Sequence, residues 1–260
     1  MKVNFSNFDF ESNLKKFIIL IFILLIEGLI HHYYYFISAT INFLEFRNQS
    51  GHNKLIWDEN GFVEILQVIF LLFSIIFFFK YLKNSIQTTF KANKYIAYLY
   101  LISLLYYFFE EISWGQHIFG WETPDFFIKI NSQNETNIHN TSSLLNELPR
   151  NLLFIWCTFS FLFIKFSKFL NFEFKFFIFP NKNLKFISFL ILIFFLPDFF
   201  VDKFDLAPGH PAQDKFDIIL NTFFDIFTFN FIRLSELLEL LFNYYILSHA
   251  YYLSRKFSKI

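Results

Sequence analysis

Six stretches of this chain are each about 20 residues long and predominantly apolar, the length a helix needs to cross the hydrocarbon core of a bilayer. They are residues 17–37, 62–82, 95–116, 150–170, 184–201 and 231–253. In lipid every backbone N–H and C=O must be bonded within the segment or a closed barrel, so runs of this kind are read as helices. The pattern predicts an all-α, polytopic membrane helix bundle of about six transmembrane helices, a single transmembrane domain over residues 1–260, with short interfacial helices in the outer loops. Composition agrees: 55 % of the 260 residues are hydrophobic, 24 % aromatic and only 17 % charged, which is more apolar than a soluble domain. The first run follows Lys15 and Lys16 as a signal peptide would. "HHYYYF" comes next in place of a small-residue cleavage site, so the run reads as a retained span. Pro149 suits the first turn of the fourth span, and Pro197 would end or kink the fifth.

The placement of Lys and Arg sets a direction. Three basic residues precede the first span (Lys2, Lys15, Lys16) and four lie around the second connection (Lys80, Lys83, Lys91, Lys94). Five lie around the fourth (Lys165, Lys168, Lys175, Lys182, Lys185) and three near the C-terminus (Arg255, Lys256, Lys259). Most of the 22 basic residues thus alternate onto one side, which places both termini in the cytoplasm. Carboxylates do the opposite and concentrate in the long outer loops and the outer halves of the spans. A net charge of zero argues against nucleic acid as a partner. The single cysteine, Cys157, allows no disulfide within the chain and reads as a small buried apolar residue.

At ~1.5 Å rise per residue, Glu110 and Glu111 lie ~23 Å up the third span, several ångströms below the outer surface of a ~30 Å core. Glu236 and Glu239 lie ~8–12 Å below that surface in the sixth span, and Glu27 ~15 Å up the first. Glu64 and Gln67 stand near the outer end of the second. Arg233, Glu236 and Glu239 follow one helical stripe at i, i+3 and i+6. Glu110 and Glu111 are adjacent and point ~100° apart, so one can face the bundle centre while the other caps or pairs locally. A charge facing lipid costs ~2.5–3.5 kcal/mol, so these groups are expected to face inward and pair.

Glu110, Glu111, Gln116, Glu236 and Glu239, joined by Glu64, Glu135 and His139, are therefore expected to form one outward-facing polar pocket. Four readings fit it. Carboxylates in an apolar site can serve as acid and base, which makes Glu110, Glu111, Glu236 and Glu239 the candidate catalytic residues for chemistry on a lipid or lipid-linked ligand. Glu64, Trp114, Gln116, Glu135, His139 and Arg233 are then its candidate ligand-binding residues. A divalent metal could use Glu110, Glu111, His117, His139 and Glu239, yet no Glu-x-x-His or His-Glu-x-x-His signature stands in the chain. The cluster could instead fix helix packing alone, in a structural or assembly subunit. It could also relay protons, cations or a small solute, although no internal repeat marks a transporter. No G-x-x-x-G stripe marks a helix-dimer face, so the oligomeric state stays open.

Beyond the doublet, Trp114 and Trp121 read as interfacial belt residues. Thr123 and Pro124 read as the cap and first position of a short helix over "PDFFIKI". The segment 131–140, "NSQNETNIHN", reads either as a solvated loop or as one that folds back to bring Glu135 and His139 over the cluster. "DKFDIILNTFFDIF" reads as an amphipathic surface helix.

The blocks "WDENGFVEILQ", "EEISWGQHIFGWETP", "INSQNETNIHN" and "LSELLEL" occur in this order over roughly residues 55–245. In this the chain resembles an uncharacterised group of bacterial multipass inner-membrane proteins sharing an E-E-I-S-W-G-Q-type block. The resemblance implies a bacterial inner membrane and one site built from the outer acidic elements, and it implies no activity. A basic residue typically follows the Gln of that block; His117 stands there in this chain.

Overall fold

A computed structural model describes residues 10–37, 53–57, 61–85, 91–131, 135–138, 141–160, 184–204 and 232–256. The described elements are helices, with no strand among the described residues. They are α1 (Phe10–Ile37), α2 (Lys54–Trp57), α3 (Phe62–Ser85), α4 (Lys91–Glu111), α5 (Gln116–Phe119), α6 (Asp125–Ile130), α7 (Ser143–Phe159), α8 (Lys185–Phe204) and α9 (Leu234–Lys256). Among the described residues, one helix is long and apolar enough to cross a membrane, in the stretch Leu55–Asn84 with mean hydropathy 2.6. The apolar part of α8, Lys185–Pro197, is shorter.

The chain divides into two compact units. One is Met1–Val63 with Phe194–Leu238; the other is Glu64–Ile193 with Glu239–Ile260. In the second unit α9 is the central element. Leu240, Tyr245, His249, Ala250 and Leu253 are all fully buried. Its aromatic rings meet three other helices: Tyr244 packs on Phe70 and Tyr251 on Phe77 of α3, His249 on Tyr100 of α4, and Tyr245 on Trp156 of α7. Such edge-to-face pairs add to the apolar burial that holds the helices together.

α3 shows how the outside is finished. Its buried face carries Val63, Gln67, Leu71, Ser74 and Phe78. The opposite face carries Ile65, Ile69, Leu72, Ile76 and Phe79, spaced four, three, four and three residues apart and all exposed. A helix on the surface of a water-soluble protein would be polar there.

Two prolines stand inside helices, where the sequence pattern predicts Pro149 in a first turn and an end or kink at Pro197. α7 begins at Ser143, capped by the Ser142 hydroxyl, which accepts from the Leu145 N–H at 3.3 Å. Pro149 therefore lies inside the helix, not in its first turn. The Ser142 cap supplies a stronger start signal than the proline, which removes one helical bond to the Leu145 carbonyl. α8 likewise continues through Pro197 to Phe204. The third helix ends before its apolar run does: α4 stops at Glu111, two residues before left-handed backbone begins at Ser113. The amphipathic segment after Asp214 and the end of the expected fourth span lie outside the described residues.

Candidate functional site

Directly after α4 the chain turns through a 3-10 segment, Ser113–Gly115, in which φ is +44° at Ser113, +55° at Trp114 and +95° at Gly115. Left-handed backbone costs a residue with a Cβ roughly 1–2 kcal/mol, so two such residues in a row need outside support. Glu110 supplies it. Its carboxylate is 3 % exposed and accepts the Trp114 indole N–H at 2.7 Å and the Ile138 backbone N–H at 2.7 Å. The Trp114 ring stacks on Phe109, centroids 5.4 Å apart. Gly115 meets a second stack, Phe119 on Trp121, and a Cβ there would stand 3.1 Å from the Phe119 ring.

The described part of segment 131–140 returns onto this turn. Asn131, Glu135 and Asn137 are all buried, which excludes the solvated reading for them. The Ser113 hydroxyl donates to Glu135 Oε2 at 2.6 Å, and the Asn137 amide donates to the same oxygen at 2.7 Å. Asn131 donates to the side-chain oxygen of Asn137 at 2.6 Å and to its carbonyl at 3.0 Å. Gln116 completes the seam: its amide donates to Thr123 Oγ1 at 2.7 Å, and its oxygen accepts the Thr136 N–H at 2.7 Å. Thr123 is thereby a partner of Gln116; the α6 cap position is Pro124, one residue later than expected.

Beside this seam lies a cavity of about 600 Å³ in the second unit, within the size range of small-molecule sites. α4 lines it with Tyr100, Ile102, Ser103, Leu104, Tyr106, Tyr107, Glu110 and Glu111; α7 with Leu145, Pro149, Arg150, Leu152, Leu153 and Trp156; and α9 with Glu239, Phe242 and Ile246. Most of the wall is apolar or aromatic. The Asp, Glu, Lys and Arg side chains in the wall are three carboxylates and one guanidinium, beside three tyrosine hydroxyls. An enclosure of this kind can hold an apolar body and fix one polar end by ion pairing and hydrogen bonds.

A separate polar cluster stands in the first unit. The Glu27 carboxylate accepts Asn53 Nδ2 at 2.9 Å and the Trp57 indole N–H at 3.0 Å. Arg233 Nη1 donates to the Trp57 carbonyl at 3.3 Å, and its Nε lies 3.4 Å from Glu236 Oε1. Arg233 immediately precedes α9, its carbonyl accepting the Leu237 N–H at 3.2 Å.

The structure thus brings Glu110, Glu111 and Glu239 to one cavity. It joins Trp114, Gln116 and Glu135 to the adjoining seam. Arg233 and Glu236 pair with each other in the first unit. Glu64 is half-buried in the first turn of α3, where its charge suits the helix N-terminus. His139 and the His117 side chain lie outside the described residues. Among the described residues no group of three or more His, Cys, Asp and Glu could hold a metal ion.

Sequence reasoning gave no site role to Arg150, Tyr100, Tyr107 or Trp156. One signal was present: Tyr100, Ser103, Tyr107 and Glu111 follow i, i+3, i+7, i+11, a polar stripe along α4. The chain matches no protein-family model, no curated protein and no solved structure.

Proposed function

We propose that this chain is a polytopic membrane protein whose carboxylate-bearing cavity binds, and acts on, a lipid or lipid-linked ligand near the outer surface of a bacterial inner membrane. The carrying observation is the composition of the cavity wall: an apolar chamber of about 600 Å³ with Glu110, Glu111, Arg150 and Glu239 among its lining. An amphipathic molecule matches it in kind. The apolar faces of α1 and α3 that stand exposed support a lipid surround, as do the six long apolar runs. The excess of Lys and Arg on one side supports cytoplasmic termini and puts the α4 end that bears Glu110 and Glu111 on the other side.

Within this reading Glu111 and Glu239 are the residues proposed to meet ligand, as acid–base or ion-pairing groups. Glu110 and Glu135 have a second role favoured by their geometry: each carboxylate accepts two hydrogen bonds from the turn and the returning segment. A packing network is therefore the better account of those two.

The test is co-purification. Protein extracted in mild detergent should retain lipid at about one molecule per chain, seen as a mass adduct in native mass spectrometry. Glu111→Gln and Glu239→Gln should fold normally and reduce that retention. Wild-type protein recovered folded and free of lipid removes the reading.

A further inference from the structure

The cavity wall is not equally deep on its three sides. On α9 its lining residues Phe242 and Ile246 are buried at 1 % and 2 % exposure. On α4 and α7 the lining includes Ile102 at 62 %, Leu152 at 58 % and Leu145 at 42 %. The back of the chamber is thus α9, and its rim on α4 and α7 carries large apolar side chains that stand exposed. These helices continue the same character outward: Leu99 on α4 and Leu148 and Ile155 on α7 are exposed as well. An opening between two apolar helix faces is suited to the hydrocarbon of a bilayer, not to water.

Charge adds the second constraint. Three carboxylates, Glu110, Glu111 and Glu239, line the chamber against one guanidinium, Arg150. Each of these four groups already has an interaction within the protein, so what a ligand meets is the net charge of the wall. The excess of acidic groups favours a cationic partner in a low-dielectric enclosure.

Resting on the lipid reading above, we propose that the chamber is filled sideways from the bilayer, through the cleft between α4 and α7, and that it selects a lipid with an amine-bearing head group. The acyl chain lies along Ile102 and Leu152; the ammonium meets Glu111 and Glu239.

The experiment uses the full chain in nanodiscs containing equal amounts of phosphatidylethanolamine and phosphatidylglycerol, followed by native mass spectrometry of the lipid retained after mild delipidation. Wild type should keep the amine lipid over the glycerol lipid by about fivefold or more, the scale of one favourable charged contact. Ile102→Trp and Leu152→Trp, at exposed rim positions, should lower total retention several-fold. Ile69→Trp, on the exposed face of α3, should not. Glu239→Gln should erode the preference between the two lipids. Equal retention of both lipids by wild type overturns the selectivity. Rim variants that retain lipid like wild type overturn the lateral route, while the binding reading survives. Loss of lipid from all proteins, wild type included, removes both. Should a rim variant fold poorly, photo-crosslinking from benzoylphenylalanine at position 102 replaces it; enrichment of the amine lipid over the glycerol lipid there but not at the lipid-facing position 69 supports the route, and the same lipid ratio at both positions overturns it.

Discussion

The Ile138 backbone N–H donates to Glu110 Oε2 at 2.7 Å, tying the end of α4 to a residue 28 positions later in the chain. The other oxygen of the same carboxylate takes the Trp114 indole N–H. Glu110 is thus an acceptor twice over, and an amide cannot replace it. In Glu110→Gln one donor faces the new NH2 group, and the stability loss should be about 2 kcal/mol. Glu111→Gln leaves both donors their acceptor and should cost less than Glu110→Gln. Thermal unfolding of the two variants in the same detergent checks this; equal losses would mean that Glu110 does not clamp the turn.

Glu135 holds two donors, Ser113 and Asn137. Glu135→Ala should cost about 2–4 kcal/mol, because two buried polar groups lose their shared acceptor. A double-mutant cycle with Ser113→Ala should return a coupling of about 1 kcal/mol. Additive single effects would show that the 2.6 Å contact carries no coupling.

Two glycines separate backbone strain from crowding. Both have positive φ, +95° at Gly115 and +69° at Gly120, but a Cβ at Gly115 meets the Phe119 ring at 3.1 Å and one at Gly120 meets nothing within 4 Å. Gly120→Ala should cost about 1 kcal/mol from the left-handed backbone alone. Gly115→Ala should cost about 1 kcal/mol more, from overpacking. The order of the two midpoints is the measurement.

Asn243 is fully buried in α9, and neither its Nδ2 nor its Oδ1 has a hydrogen-bond partner among the described residues. Asn243→Leu removes that desolvation cost at similar volume and should stabilise by about 1–2 kcal/mol. A lower melting temperature in this variant would show that the amide has a partner in the folded protein.

Much of the helical layout could be read from length alone. The run at 62–82 appears as α3, Phe62–Ser85, because about 20 apolar residues admit few other conformations. The depth argument used only helical rise and grouped Glu110, Glu111, Gln116, Glu236 and Glu239 with Glu64, Glu135 and His139; of these Glu110, Glu111 and Glu239 line one cavity, while Glu236 pairs with Arg233. What it could not supply was direction: adjacent residues on a helix differ by ~100°, and the neighbours that decide between them are distant in sequence. The turn at Ser113–Gly115 was legible only through its glycine, since Ser and Trp give no signal for left-handed backbone. The return of segment 131–140 was one of two readings, and the choice between them was not legible for a related reason. Amides read as solvent-facing until their partners are known, and here the partners are one another and Ser113. Pro149 misled because its preference for a first turn is weaker than the Ser142 cap that begins α7 six residues earlier.

In the second unit the helix around which the others gather, α9, is the last described element to be synthesised. Phe70 receives Tyr244, and Tyr100 and Trp156 receive His249, only after the ribosome has passed those residues, although Tyr100 already has Phe78 and Trp156 beside it. Until then α3, α4 and α7 lack the helix that covers much of their inward faces. Chains truncated before α9 should accordingly be less stable and degraded faster than the full chain.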